Sequence, residues 1–161
     1  MSLSPSDVIL LTHAGFGICG CLAALWVFVE TLNARPENAA RIRTFSLATA
    51  LFIAAAGVCG GYFYLRYYPA DKALILKGPW PFAHNIFMET KEHLFFITLI
   101  LAFLLPLAAR ERLDANPGAR RLALSVAALV AITGLALEGA GGVIDHGVKL
   151  SLLHAAKGVA P

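Results

Sequence analysis

The chain has 161 residues, of which 58% are hydrophobic and only 14% are charged, and its mean hydropathy is +0.72. This composition excludes an ordinary soluble domain and indicates an integral membrane protein. The net charge of +3 comes from arginines and lysines in short connections, so it does not indicate nucleic-acid binding.

Four apolar segments are predicted to cross the membrane as α-helices. The first follows a helix-start signal, Ser4-Pro5-Ser6-Asp7, and is too long for the core of a cleavable signal peptide. At about 1.5 Å of rise per residue, each segment is long enough to cross a hydrocarbon core of about 30 Å. The predicted spans cover residues 8–32, 45–68, 84–109 and 122–144.

Two further segments complete the predicted fold. Residues 69–82 are predicted to form a structured interfacial loop, because Gly78-Pro79-Trp80-Pro81 prevents a regular helix. Residues 145–161 have a helical pattern that favours a short helix lying along the membrane surface. The expected fold is therefore all-α and a single domain, an antiparallel four-helix membrane bundle with a short C-terminal interfacial helix.

The loop charges predict an orientation. The connections after the first and third spans carry seven arginines close to span ends, and the positive-inside rule places that side in the cytoplasm. The opposite side carries six basic residues, so the two counts are nearly equal. The predicted orientation therefore depends on how close the seven arginines lie to the ends of the spans. We expect a bacterial inner-membrane protein with both termini outside.

All five histidines fall in the same half of this predicted bundle, which is the half that holds the termini. Ionisable groups are costly in a membrane and are usually functional. Positions along the spans divide four of the histidines into a deeper tier, His13 and His93, and a shallower tier, His84 and His146. Glu89, Glu92, Glu138 and Asp145 belong to the same half.

Glycines are concentrated beside these histidines. Gly17 lies on the same helical face as His13, and Gly60 lies on the second span, whereas the third span has no glycine. Helices with glycines on their inner faces leave room between them for a large planar group. The alternative is that small residues simply let neighbouring helices approach closely.

In general design the sequence resembles the small four-helix b-type cytochromes, which hold haem between histidines on different spans. The resemblance implies one or two haem b groups, with His13 and His93 as the preferred axial pair and His84 with His146 as a second pair. Arg66 and Lys91 are placed to neutralise haem propionates, or else to extend to the interface as ordinary basic residues. Because one half lacks histidines, the expectation is electron transfer between partners on one face rather than across the membrane.

Glu138 is the most costly single residue of the predicted spans. It is expected to accept a proton during quinol oxidation, with Asp145 and His146 as the exit path, or to be a neutral hydrogen-bonded carboxyl. Glu89 shares a helical face with His93 and is the second predicted catalytic carboxylate. The expected partners are the lipid bilayer, quinone, and other subunits of a redox complex or a periplasmic redox protein.

Two alternatives remain open at this point. The first is an oxidase with a non-haem di-iron, manganese or copper site, because several residues are of suitable ligand types although the Glu-x-x-His spacing is absent. Those residues are His13, Glu89, Glu92, His93 and Glu138. The second alternative is a non-catalytic membrane anchor of a larger complex.

Overall fold

The structure, a computed structural model, describes residues 3–158 and is helical without any strand over that range. The long helices are α1 (Pro5–Leu32), α2 (Ala39–Arg66), α4 (Glu89–Ala108) and α5 (Pro117–Ala156). A short helix, α3 (Tyr68–Lys77), follows α2, and a π-helical segment (Ala83–Met88) leads directly into α4. The all-helical prediction is confirmed for the described residues.

Four helices are long and apolar enough to cross a membrane, as predicted. Each predicted span begins at or a few residues inside the observed helix, because hydropathy omits polar first turns such as that of α2, which contains Arg41 and Arg43. The start of α1 follows the predicted signal, since the Ser4 side chain accepts from the Asp7 amide and Asp7 in turn accepts from the Ser4 amide. Each long helix packs against two others, in the cyclic order α1, α2, α4, α5.

Two predictions about the connections were wrong. Residues 68–77 form α3 rather than an irregular loop, because Pro69 stands in the first turn of that helix, where its missing N–H is not needed. Residues 145–156 continue α5 instead of forming a separate helix. Gly147 lies in this continuation, and a Cβ there would lie 2.8 Å from the Ala83 Cβ, so the helix packs closely on the π-helical segment. Residues 159–161 of the predicted tail lie outside the described residues.

One end of the molecule is solidly packed. Ala24, Val27, Ile42, Leu105 and Val130 are almost completely buried there, between the ends of the long helices joined by the α1–α2 and α4–α5 loops. We call this part the packed half.

Arginines cover the helix ends of the packed half. Arg120, in the first turn of α5, donates from Nε to the Thr31 carbonyl at 3.0 Å and also donates to the Leu32 carbonyl. Arg43 of α2 donates to the carbonyls of Ala109 and Arg110, where α4 ends. These side chains supply donors to carbonyls that a helix C-terminus leaves without partners. Each helix end is thereby fixed to a neighbouring helix.

Candidate functional site

The other half of the molecule encloses a cavity of about 870 Å³. All four long helices and α3 contribute to its wall, and this volume lies in the range typical of small-molecule and cofactor sites. Its surface is mostly apolar, with Cys21, Ile53 and Gly134 at its deep end. We call this part of the molecule the cavity half.

Regular helical stripes form the wall. On α5 the lining residues recur at intervals of three and four, which places them on one face of the helix. They are Gly134, Leu137, Glu138, Gly141, Ile144, Asp145 and Val148. Along the end of the π-helical segment and the start of α4, the corresponding stripe contains Met88, Lys91, Glu92 and Phe95. Both stripes are readable in the sequence, although polar and apolar members alternate along them.

His13 is the histidine that lines the cavity. Its Nδ1 lies 2.8 Å from the Ala56 carbonyl oxygen of α2. Because a carbonyl only accepts, Nδ1 must carry the hydrogen, and the neutral ring then has its lone pair on Nε2. A Cβ on Gly60 would lie 2.7 Å from the imidazole, so this glycine makes space for the ring. The chain thus fixes both the position and the tautomer of His13.

Glu138 projects from α5 towards α1. A Cβ on Gly17 would collide with its Oε1, and Gly17 stands one helical turn after His13. The Glu138 carboxyl therefore meets α1 one helical turn from the position of His13. Gly17 and Gly60, both predicted to leave room for a cofactor, line the cavity and receive these two polar side chains.

Lys91 brings a positive charge to the same wall. Its Nζ would lie 2.8 Å from a Cβ on Gly141, which is one turn after Glu138 on α5. The salt bridges within residues 3–158 do not include this pair. The ammonium and the carboxylate remain close enough to affect each other and available to a ligand.

Glu92 has a buried carboxylate oxygen, Oε1, without a hydrogen-bond partner in the described part of the chain. The residue lines the cavity. Burying an unpaired carboxylate oxygen is costly, so a donor supplied by a ligand or by water would stabilise it.

The opening of the cavity is acidic. Asp7, Asp71 and Asp145 line it, and Asp145 forms an ion pair with Lys149. Burial raises the pKa of the Asp71 carboxyl above its ordinary value, and the charge of Asp145 adds to the rise. Carboxylates at this position favour cations or hydrogen-bond donors over anionic groups.

His93 does not share this site. It is exposed, and its Nδ1 donates to the Glu89 carbonyl of its own helix at 2.7 Å. Lys91, Glu92 and Phe95 occupy the face of α4 that meets the cavity, whereas His93 lies on a flank. The structure therefore does not bring His13 and His93 together around the cavity, because the depth along a helix says nothing about the direction of a side chain.

The two histidines of the second predicted pair have different surroundings. His84 is only 3% exposed and contacts Tyr68 and Glu89, whereas His146 is exposed and packs its ring against Trp80 with 5.1 Å between centroids. Arg66, predicted to face a haem propionate, is exposed at the end of α2. The predicted site residues His84, His146, Arg66 and Glu89 do not line the cavity.

A non-haem metal site is not formed by the described residues. Within residues 3–158 no group of three or more His, Cys, Asp and Glu side chains is arranged to hold a metal ion. Of the residues suggested for such a site, His13, Glu92 and Glu138 line the cavity, while Glu89 and His93 lie on the outer surface of α4. The five candidate residues, two histidines and three glutamates, are therefore divided between the cavity wall and the outer surface.

Sequence reasoning missed Tyr68 as a functional residue, because it was treated as the end of the second predicted span. It is 2% exposed, lines the cavity and contacts His84. No pattern in the sequence separates it from its neighbours Tyr64 and Tyr67. Comparison with known proteins gives no match, whether to a family model, a curated protein or a solved structure.

Proposed function

We propose that the chain is an integral membrane protein whose four long helical segments cross the bilayer as a four-helix bundle. Support comes from their length and from the large apolar side chains on the outer surface, such as Leu65, Ile100 and Ile132, each more than 60% exposed. The arginine-rich loops of the packed half would face the cytoplasm, so the cavity would open towards the outside.

The cavity is proposed to bind a molecule of the quinone class, which makes the chain a quinone-binding subunit of a membrane redox complex. The observation that carries this proposal is that His13, Glu138 and Lys91 share one cavity whose surface is mostly apolar. A quinone combines an apolar body with two oxygens that alternate between carbonyl and hydroxyl forms. Such a ligand needs few polar groups, and it needs both donors and acceptors.

The three side chains match the two redox forms. Lys91 donates hydrogen bonds and suits a quinone carbonyl, whereas Nε2 of His13 has a lone pair and suits a quinol hydroxyl. Oxidation of one quinol releases two electrons and two protons. His13 and an ionised Glu138 would accept the protons, and the electrons would pass to a one-electron carrier, a haem or iron–sulfur group, on a partner subunit.

Equilibrium binding tests this function directly. Purified protein in lipid nanodiscs is titrated with decylubiquinone in a calorimeter, and the same titration is made with His13→Leu and with His146→Leu. His13→Leu is expected to weaken binding about tenfold, which corresponds to one lost hydrogen bond in a dry site. His146→Leu changes an exposed histidine outside the cavity and should bind like the wild type.

The proposal fails if decylubiquinone binds without saturation or if both histidine variants lose affinity equally. The first outcome would mean partition into lipid, and the second would mean a general effect of removing an imidazole.

Haem b is a second candidate, and the geometry of His13 favours it. A histidine with its Nδ1–H held by a carbonyl presents Nε2 as a ligand, which is the usual arrangement around iron. Haem, when bound, supplies one-electron redox chemistry. The fit is partial, because His93 lies outside the cavity and the opening carries carboxylates rather than cations to meet propionates. His13 would then be the only histidine ligand.

An absorption spectrum separates the two candidates. A reduced-minus-oxidised spectrum of purified protein with an α-band and a positive pyridine haemochrome would establish haem, and that band should be lost in His13→Ala but kept in His93→Ala. A protein without these bands that binds decylubiquinone leaves the quinone proposal in place and removes haem.

A further inference from the structure

His84 is a buried titratable side chain that the proposed quinone contacts do not use. It is 3% exposed, in a half of the molecule where the neighbouring histidine of the same tier, His146, is on the surface. Burial of an imidazole is unfavourable unless both ring nitrogens have partners. The two partners of His84 therefore indicate what the residue does.

The partners connect the cavity with the exterior. Nδ1 of His84 lies 3.0 Å from the Tyr68 hydroxyl, and Nε2 lies 3.6 Å from Oε1 of Glu89. Tyr68 is 2% exposed and lines the cavity, whereas the Glu89 side chain is 51% exposed. A chain of three proton-exchanging groups thus runs from the cavity wall to the surface.

The directions of the hydrogens follow from the chemistry of the two ends. At 3.6 Å from Oε1 of Glu89, Nε2 stands just beyond direct hydrogen-bond distance, and a hydrogen on Nε2 aimed at the accepting carboxylate leaves the lone pair on Nδ1. The Tyr68 hydroxyl then donates to Nδ1. Every donor in this chain points outwards, from the cavity towards the surface.

The π-helical segment produces this alignment. His84 and Glu89 are five residues apart, and the Glu89 amide donates to the His84 carbonyl. In an α-helix, residues five apart point in clearly different directions, whereas the wider i→i+5 turn brings them close to one line. Single π-helical turns occur frequently at functional sites. Here the turn brings the carboxylate towards the imidazole.

We propose that Tyr68, His84 and Glu89 form a proton relay between the cavity and the outer surface. The source of the protons rests on the proposed function, in which quinol oxidation releases them in the cavity. This path replaces the one expected from the sequence, because His146 packs on Trp80 outside the cavity.

Each transfer is balanced. The Tyr68 hydroxyl gives its proton to Nδ1 while it takes another from the cavity. His84 gives the proton on Nε2 to Glu89, which releases it to water, and the ring returns to its first tautomer when the chain reorients. Burial raises the pKa of Tyr68 above its ordinary value, so the phenol stays protonated and exchanges protons without storing charge.

Other titratable groups lie around Tyr68 and its neighbour Asp71, at the cavity end of this chain. They are Tyr64 on α2, Asp71 on α3, Glu92 on α4 and Asp145 on α5. The relay matters most when a ligand fills the cavity and displaces the water at its opening.

The test measures how fast a proton reaches the cavity. Protein in nanodiscs receives a rapid pH jump, with and without bound decylubiquinone, and infrared spectroscopy follows protonation of the Glu138 carboxyl. Its band is identified by its loss in Glu138→Gln. Tyr68→Phe, which keeps the ring and removes the hydroxyl, should slow protonation about tenfold or more, and Glu89→Gln should act likewise. Tyr62→Phe, an exposed tyrosine outside the cavity, is the matched control.

The equilibrium titration of the Glu138 band should not change in these variants, and Glu89→Gln, outside the cavity, should also keep the affinity for decylubiquinone, which separates a relay from a structural role. Glu89→Asp should restore part of the rate. Glu89 is half exposed, so its replacement is expected to fold even if a variant of buried His84 does not. Unchanged rates in Tyr68→Phe and Glu89→Gln, with and without ligand, would overturn the relay and leave quinone binding standing. Absence of binding together with slowed rates would overturn quinone binding and leave the relay.

Discussion

The packed half and the cavity half are built from the same four helices, yet one is filled and the other encloses about 870 Å³. In the packed half, Val27, Ile42, Leu105 and Val130 meet at almost zero exposure. At the corresponding positions of the cavity half the helices carry glycines and a few ionisable side chains.

Side-chain size explains this contrast. Gly17, Gly57, Gly60 and Gly134 each lie where an added Cβ would meet another side chain, so these glycines let polar and aromatic groups enter between the helices. The packed half holds the helices at a fixed spacing, which lets the other half remain open. The packed half therefore provides most of the stability, and the cavity half provides the space proposed for a ligand.

The largest effect on stability is expected from removing volume in the packed half. Leu105→Ala should lower the free energy of unfolding by about 2 kcal/mol or more, because Leu105 is fully buried and a cavity would be left behind. Leu137→Ala, which enlarges an existing cavity, should cost clearly less. SDS-induced unfolding in mixed micelles measures both, and equal losses would contradict the division between the halves.

A smaller loss in the free energy of unfolding is expected from replacing Arg120, whose side chain connects α5 to the end of α1. Arg120→Ala removes the donors to Thr31 and Leu32 and should cost about 1–2 kcal/mol, since it leaves helix-terminal carbonyls without partners. Arg121→Ala, at an exposed neighbour, is the control for loss of charge in the same unfolding assay. Similar losses in both variants would show that the positive charge matters rather than the hydrogen bonds.

Adding volume to the cavity half should affect stability less than either change. Gly61 lines the cavity, and a Cβ there would meet open space, so Gly61→Leu should fold and gain up to about 0.8 kcal/mol of helix propensity. It should nevertheless reduce decylubiquinone binding, because its side chain fills the site. Gly139→Leu, outside the cavity and also unobstructed, should keep full binding. Equal binding by the two variants would place the ligand elsewhere.

The smallest effects on stability are expected from replacing two aspartates, Asp71 in the cavity half and Asp114 in the packed half. The two replacements should shift the melting temperature in opposite directions at neutral pH. Burial raises the pKa of Asp71, so the native state loses stability as the pH rises from the ordinary aspartate range through the raised value. Asp71→Asn should therefore melt at a higher temperature than the wild type at neutral pH, and the difference should vanish in acid.

Asp114, at the packed end, provides the comparison. The hydrogen bond from Arg112 lowers its pKa, so its contribution is present at neutral pH and is lost as the pH falls through the lowered value. Asp114→Asn should melt slightly lower than the wild type at neutral pH. Thermal unfolding followed by circular dichroism at several pH values tests the pair, and shifts of the same sign would contradict this assignment.

The sequence was sufficient for the four long helices and for the half of the molecule that contains the histidines. The length of an apolar segment and the helix-start signal Ser4–Asp7 are properties of neighbouring residues in the sequence. The structure has long helices at the apolar segments and begins α1 directly after Ser4. Gly17 and Gly60, singled out as small residues, lie where Glu138 and His13 enter between the helices, although the cofactor role assigned to them stays a prediction.

The ligand pairs could not be predicted, because they depend on how each helix is rotated. Height along α4 places His93 level with the cavity, but the stripe through Met88, Lys91 and Phe95 takes the inner face. Counting that stripe at intervals of three and four would have shown His93 on the flank. The contact between Tyr68 and His84 could not be found in this way, since it depends on the path of α3 and on a π-helical turn.

That π-helical turn has a consequence for the register of the third membrane segment. A wider turn takes one residue more than the α-helix it interrupts, so everything before Glu89 is offset by one position relative to an unbroken helix. The offset lets His84 meet α3 while Met88, Lys91 and Glu92 face the cavity, which one uniform helix would not allow. Two functional surfaces with incompatible spacing thus share a single segment.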